Sequence, residues 1–473
     1  MTAPLGTAPL GTTPLWTAAE IVAATGGRAS APFAATGVSI DTRTLEGGDL
    51  FVALSGERDG HGSIPAALAA GAAGALASRP MDGPAVMVDD TQTALEHLGE
   101  AARLRARQAR RGAVTGSVGK TSVTQAIRAG LIRAGPAHGS VKSYNNHIGV
   151  PLTLARMPAA TRRAIFEIGM NRPGEIAPLA RQVQPHAVAI TNVEAVHVEN
   201  FPGGEAQVAK AKAEIFAGIE RGGVAVLNAD NPWFDYLKGE ARRAGAKPRV
   251  FGRAKGADAR LVRFSPARGG ASVEASLDGK DIEFPIPQSA AHWGPMSLCA
   301  LLMLQALDVD LDTALAALGS FRPLEGRGAE RVVRGPAGAF TLIDESYNAS
   351  PVSMAAALAA LGARSGAARR IVALTDMLEL GPASAERHAA LAAPIAAAGV
   401  DLVFCAGPAM EALWRALPAD RRGAWTPGAN ALAPLLSGAV AAGDAVMVKG
   451  SHASNAATLV AALAALETAG GRA

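Results

Sequence analysis

Val114-Thr115-Gly116-Ser117-Val118-Gly119-Lys120-Thr121-Ser122 is the stretch from which the architecture is read. The apolar run AVT precedes the glycines and a helical run opens near Lys120, which is the setting a phosphate-binding loop needs. Successive backbone N–H groups from Gly116, Ser117, Val118 and Gly119 can wrap phosphate oxygens, and the helix N-terminus adds positive potential. Lys120 is placed to neutralise the β- and γ-phosphates, the Thr121 hydroxyl to ligate Mg²⁺, and Ser122 to continue the ATP-contacting stretch. The full Walker spacing wants a glycine five positions before Gly119, where this chain has Val114. The loop is thus a G-x-x-G-K-T variant. An incidental glycine-rich turn is the competing reading; the lysine and the strand–helix setting favour an ATP site.

Outward from this loop the chain alternates strand and helix. AIFEIG, AVAITNV and VAVLN each end in a polar or glycine-rich turn, and after Phe321 a second series follows: FTLID, RIVALTD, DLVFCAG and DAVMVKG. Such alternation predicts an α/β fold with parallel sheets covered on both faces and working residues at the strands' carboxyl ends. Lys120, Glu167, Asn192, Asp230, Asp344, Asp376 and Lys449 all stand at such ends, which points to a ligand crevice between two α/β domains. Upstream, SIDTRTLEGGDLFVAL (39–54) reads as two short strands around a Gly47–Gly48 turn, with an Ala-rich helix from Ile64. Thr91–Arg111 reads as a helix whose basic second half (Arg103, Arg105, Arg107, Arg110, Arg111) forms a solvated face, with anion steering as the alternative. TAPLG at 2–6 recurs at 7–11, and residues 1–15 read as a flexible leader.

Composition bounds the rest. With 473 residues, two to four domains are expected, and 49% apolar residues exclude a disordered polyelectrolyte. The balance of 45 Lys+Arg against 41 Asp+Glu is too even for a nucleic-acid polycation. Cys299 and Cys405 form no C-x-x-C pair, so no disulfide framework or zinc site is expected and a reducing cytoplasm is the natural home. No apolar run reaches the ~18–20 residues of a spanning helix.

Three more residues bear on metal binding. Glu167 ends the strand AIFE, where a carboxylate can face the phosphates. His197, in NVEAVHVENF, reads by itself as a structural histidine, since Mg²⁺ prefers oxygen ligands. Lys212, in VAKAKAEIF, reads by itself as a surface helix lysine; a carbamylated lysine, an anionic oxygen ligand, is the alternative.

TGSVGKTS, SYNNHIGVPLTL, EIGMNRPGEI, AVHVENF, AKAEIF, LNADN, DESYNASPVSM, TDMLELG and VKGS stand in the order and spacing of the ATP-dependent Mur ligases. The chain resembles that family from about residue 16 to its end. The resemblance implies three domains: a small mixed α/β unit for a UDP-sugar with a linking helix (16–111), a central P-loop ATPase with a parallel sheet (112–321) and a Rossmann-like lid (322–473). It assigns Asp41, Thr42, Arg43, Asp59, Gly60 and His61 to the UDP-substrate; a turn with a salt bridge is the plain reading of Asp41–Arg43. It gives Lys120 and Thr121 to ATP and Mg²⁺, Glu167 and His197 to metals (two Mg²⁺), and Lys212 to the carbamate. Asn145 and Asn146 would face the γ-phosphate and substrate, and Asn228 and His292 would lie near the adenine. In the lid, Arg327 and Asp344 match ATP contacts, with Tyr347, Asn348 and Ser353 beside them; turn-capping is the plain reading of Asn348 and Ser353. The family often places an asparagine four residues after His292, where this chain has Met296, and Pro295 falls in the first turn of the helix expected there.

The activity so implied is an ATP-dependent amide ligase of peptidoglycan-precursor synthesis. It adds D-alanyl-D-alanine to UDP-N-acetylmuramoyl-tripeptide through an acyl phosphate, as a cytoplasmic monomer with no nucleic-acid or membrane partner. Another Mur step, a folylpolyglutamate-type ligase, or a nucleotide-binding protein without turnover are the alternatives. The ligase that adds the third peptide residue carries D-N-P-R in its lid, where this chain reads TDMLELG.

Overall fold

A computed structural model describes residues 14–56, 59–141, 143–194, 200–267 and 269–470. The 1–15 leader lies outside them except for its last two residues. Leu15 is already tied down, its N–H donating to Ala35 O and its carbonyl accepting from Arg105.

Period-two alternation builds the central layer. In Arg110–Thr115, Ala113 packs to one face and Val114 to the other; in Arg163–Glu167, Ala164 and Phe166 oppose Ile165. Both faces are therefore apolar, as the alternating series predicted. One face is covered by Lys120–Arg133, Trp293–Ala306 and Leu311–Ser320, the other by Thr91–Arg105, Gly149–Ala155 and Ile176–Val183.

The central sheet has nine strands. Their order is Lys280–Ile286, Gly270–Leu277, Ala259–Ala267, Lys247–Gly252, Val224–Asn228, Ala187–Ile190, Arg110–Thr115, Arg163–Glu167 and Ala137–Gly139. The pairs from Ala259–Ala267 through to Ala137–Gly139 are all parallel, whereas the last three strands in sequence pair antiparallel. That antiparallel wing was not anticipated. Its Asp278–Gly279 connection, with φ of 49° and 81°, is the D-G hairpin signal.

A second, six-stranded sheet runs Ala329–Gly335, Gly338–Glu345, Ala445–Lys449, Arg370–Thr375, Leu402–Ala406 and Arg422–Thr426, parallel except for its first pair. A five-stranded sheet near the N-terminus runs Arg28–Ala29, Ala85–Met87, Gly74–Ala77, Asp49–Val52 and Gly37–Ser39. Its last two strands, expected around the Gly47–Gly48 turn, pair parallel, so residues 40–48 cross over instead of closing a hairpin.

The basic run corrects the expectation most clearly. The helix ends at Arg105, and Arg110 and Arg111 begin the central strand. Arg103 and Arg111 are buried, not solvated. Arg111 donates to the carbonyls of Val183, Gln184 and Ala109, and Arg103 to Gln184 and Glu100. Arg105 donates to Leu15 O and Met157 O with its guanidinium 3.9 Å from the Trp16 ring centroid. The planar fork of five donors satisfies carbonyls where elements end, so these arginines join elements together.

Candidate active site

The first central strand has Arg163–Glu167 on one side and Ala187–Ile190 on the other. The chain therefore leaves it in one direction, returns, and continues in the other. The carboxyl end of Arg110–Thr115 is thus a switch point, where neighbouring loops diverge and leave a crevice. The phosphate loop fills that point.

Gly116 and Gly119 have φ of 151° and 83°, and a Cβ on Gly116 would lie 1.8 Å from Thr191 Oγ1, so only glycine fits. The loop is stapled to residues 191–194. Asn192 Oδ1 accepts the N–H of Ser117 at 3.1 Å and of Val118 at 2.9 Å, and Thr191 Oγ1 donates to Val118 O at 2.7 Å. Ser117 Oγ donates to Glu194 O and accepts from Glu194 N, while Asn192 Nδ2 donates to Glu194 Oε1 at 2.8 Å. The sequence marks Asn192 only as a strand-end polar residue and gives no sign of the role of Glu194, so loop support from this segment is legible only in the structure. Met296 is buried beneath the loop, its Sδ 3.5 Å from where a Gly119 Cβ would sit. Pro295 occupies the first turn of its helix, as expected.

Lys120 Nζ donates to Gly116 O at 2.8 Å and Ser117 O at 3.2 Å, which holds the ammonium over the loop. Burial lowers its pKa, the Glu167 carboxylate raises it in part, and Arg327 lowers it again. Glu167 pairs in register with Val114, which brings it beside the loop. It is fully buried; Asn145 Nδ2 donates to its Oε1 at 2.7 Å and its Oε2 has no partner. Thr121 is buried, with Oγ1 3.0 Å from Ser143 Oγ. Asn146 turns elsewhere, its Oδ1 accepting the N–H groups of Ile148 and Gly149 at the start of the next helix.

Among the described residues no three His, Cys, Asp or Glu side chains converge on one point. An orphaned buried carboxylate oxygen and a threonine hydroxyl suit Mg²⁺, which keeps several waters and takes few protein ligands. His197 lies outside the described residues. Lys212 is not the surface lysine of the stand-alone reading. It is 2% exposed on Gly204–Ala213, and burial brings its pKa well below the ordinary value, with Lys120 lowering it further and Glu194 raising it. Burial also raises the pKa of Glu194, whose Oε2 has no partner.

The second sheet presents its residues across the cleft. Arg327 Nη2 donates to Ser143 Oγ at 3.2 Å, and its guanidinium lies 4.2 Å from the Tyr347 ring centroid. Asp344 accepts from Gly326 N at 2.8 Å and from Ser346, so it fixes the turn that carries Arg327. Lys449 Nζ reaches Glu345 Oε2 at 3.3 Å and Asn348 O at 3.0 Å. His292 is exposed just before Trp293–Ala306, within electrostatic reach of Glu345 and Lys449. Asn228 Oδ1 accepts from Asp230 N and its Nδ2 donates to Thr191 O. Ser353 is spent on a capping box with Ser350, and Asn348 Oδ1 accepts from Ala349 N, which is the capping behaviour of the plain reading. Asp230 and Asp376 bind the N–H groups of neighbouring loops.

The six residues expected at the UDP-substrate sit on connections of the five-stranded sheet. Asp41 and exposed Arg43 form a salt bridge at 2.6 Å across the Thr42 turn. Asp59 caps the turn Gly60–Ser63, bonding His61 and pairing with Arg79, and its pKa is lowered to about 2, chiefly by the His61 hydrogen bonds. His61 Nε2 accepts from Ser78 N.

Residues 114–304 match the Mur ligase middle domain and residues 330–452 the Mur ligase glutamate ligase domain. The UDP-N-acetylmuramoyl-tripeptide–D-alanyl-D-alanine ligase of Escherichia coli is 34% identical over 385 residues, 80% of this chain and 82% of that protein. The chain belongs to the Mur ligase family. This Mur ligase is also 33% identical to the enzyme of the same name from Bacillus subtilis, over 78% of its own length and 80% of that protein. A crystal structure of MurF from Acinetobacter baumannii superposes with a TM-score of 0.82 at 26% identity, covering 95% of this Mur ligase and 98% of that chain. The α/β architecture expected from the alternating series is thereby shown over 95% of the chain, the C-terminal six-stranded sheet included.

Proposed function

We propose that this Mur ligase joins D-alanyl-D-alanine to UDP-N-acetylmuramoyl-tripeptide with cleavage of ATP, in three functional units at 16–111, 112–321 and 322–473. The observation that carries the reading is the phosphate loop at the switch point, with Lys120 above it, the unpartnered Glu167 oxygen beside it and Arg327 reaching it from the second sheet. The relatives' shared name supplies the two substrates.

Two anions must meet: the γ-phosphate and the tripeptide carboxylate. Lys120, Arg327 and the N–H groups at the helix start lower that repulsion, and positioning supplies most of the rest. A carboxylate oxygen bonds to the γ-phosphorus, the bond to ADP breaks, and an acyl phosphate remains. The neutral amine of D-alanyl-D-alanine then attacks the acyl carbon, inorganic phosphate leaves with the C–O bond pair, and the amine proton passes to solvent. No side chain forms a covalent bond to substrate in this scheme. Thr121 and Glu167 would hold Mg²⁺, which when bound neutralises phosphate charge. Asn145 orients Glu167 through its 2.7 Å bond.

Lys212 is carbamylated in this reading. A neutral buried amine reacts with CO₂ and releases a proton, and the resulting anion, with His197, would hold a second Mg²⁺. Asn228 and His292 flank the adenine. Tyr347 and Asn348 border the acceptor region, and Asp41, Thr42, Arg43, Asp59, Gly60 and His61 receive the UDP portion. The enzyme works as a cytoplasmic monomer; two buried free thiols fit a reducing compartment, and no helix among the described residues is long and apolar enough to cross a membrane.

Phosphate release with UDP-N-acetylmuramoyl-tripeptide and ATP should require D-alanyl-D-alanine and yield the pentapeptide by mass spectrometry. Turnover with glutamate as the acceptor and none with D-alanyl-D-alanine would rule the assignment out.

A further inference from the structure

We propose that Ser143 is a positioning residue that couples the second sheet to the nucleotide, its hydroxyl serving as the joint between Thr121 and Arg327. The inference rests on the nucleotide reading of the phosphate loop. Ser143 Oγ lies 3.0 Å from Thr121 Oγ1 and 3.2 Å from Arg327 Nη2, so one hydroxyl touches the loop and the residue that approaches from across the cleft. Arg327 is itself held in place. Its guanidinium packs over Tyr347, whose ring meets His452 edge-on at 5.3 Å between centroids, and Asp344 grips the adjoining Gly326.

The proton inventory gives the joint a direction. A hydroxyl has one proton and two acceptor lone pairs, and an arginine only donates. Arg327 therefore occupies one lone pair of Ser143. The bond to Thr121 can then run either way. If Ser143 donates, the Thr121 proton turns into the site, where it opposes a cation. If Thr121 donates, both of its lone pairs are free for a cation, and the Ser143 proton is left for an anionic phosphate oxygen. Bound Mg²⁺–nucleotide would favour the second arrangement. In it Ser143 would accept from Thr121 and from Arg327 at once, which would fix the guanidinium beside the phosphate loop. Loading the loop thus favours the approach of the second sheet, and that approach in turn favours loading, as linkage requires.

The test is ADP binding by calorimetry, with Mg²⁺ and with chelator, on the full chain and its variants, with melting temperatures recorded for each. Ser143→Ala should weaken Mg²⁺–ADP binding by about 10- to 100-fold, in the range of a hydrogen bond to a charged group. It should also shrink the gain that Mg²⁺ confers and leave the melting temperature within about 2 °C of wild type. Ser143→Thr, which keeps the hydroxyl, should restore most of the affinity. Ser143→Ala on top of Arg327→Ala should cost less than about twofold more, because the two residues act through one joint. Wild-type affinity in a folded Ser143→Ala, equal losses in Ser143→Thr and Ser143→Ala, or multiplying losses in the double variant would each overturn the proposal. Lys120→Ala separates the two readings: if it too bound ADP normally, the nucleotide site itself would be misassigned, whereas its loss beside an intact Ser143→Ala would remove only the joint.

Discussion

Lys212 sits on Gly204–Ala213 with 2% of its surface exposed, and desolvation is the largest cause of its lowered pKa. Its sequence context, VAKAKAEIF, gives no sign of this, because a lysine among alanines is read as solvated unless the facing layer is known. Glu167 was easier to place: a carboxylate closing an apolar strand can only sit at the strand's carboxyl end. The carbamylation proposed for this buried lysine is testable. Lys212→Ala should lower ligation by at least about 100-fold, and a short carboxylate such as formate in the buffer should restore part of it by standing in for the carbamate oxygens. Full ligation by the unrescued variant would remove Lys212 from the mechanism. The helix-opening lysine, Lys120, and the strained glycines around it were legible because phosphate binding demands those residue types at that spacing.

Helix and strand ends explain much of what was and was not visible at the next scale. Ser350 and Ser353 form a capping box with Pro351 at the first helical position, so the start of Pro351–Gly362 is written locally. Ser350→Ala should cost about 1 kcal/mol of stability, read as a lower urea midpoint with an unchanged m-value, and should shift nucleotide affinity less than twofold. An affinity loss as large as that of Lys120→Ala would instead place Ser350 in the site. The arginines at 103–111 mark the opposite case. Their composition predicts a solvated face, but Arg103 and Arg111 are drawn inward by carbonyls at the end of Ile176–Val183 and the residues after it. Those acceptors lie about 70 to 80 positions away in the chain, beyond any local pattern.

Acid stability reports on the packed molecule as a whole. His138 donates through Nε2 to Thr153 O at 2.7 Å, a bond that raises its pKa in part, whereas His186 Nδ1 accepts the Arg111 N–H, which only a neutral ring can do. Burial is the largest cause in each, and both pKa values are lowered from 6.5 to about 4. A histidine lowered in the folded state takes up protons first in the unfolded chain. Its contribution is therefore complete above pH 6.5, falls as pH drops toward 4, and is exhausted below that. For His138 the gap is worth at most about 3 kcal/mol, and less for His186, which solvent screens. Urea midpoints should decline between pH 7 and 4.5, and His138→Asn should flatten that decline; an unchanged slope in the variant would show that His138 stays protonated or exposed.

What the sequence by itself determined was local: the phosphate loop, the alternation that covers both sheet faces, the caps, and the order of segments that places the chain among the Mur ligases. Strand order was not local. Arg163–Glu167 and Ala187–Ile190 both flank Arg110–Thr115, and that pairing alone creates the switch point and brings Glu167, Asn192 and Lys120 together. Hydrogen bonds between strands are made by backbone groups that every residue carries, so the side-chain pattern says which face is apolar and not which strand is the neighbour. The contact of Arg327 with Ser143 is more distant still, 184 positions apart, and exists only where the second sheet leans over the first.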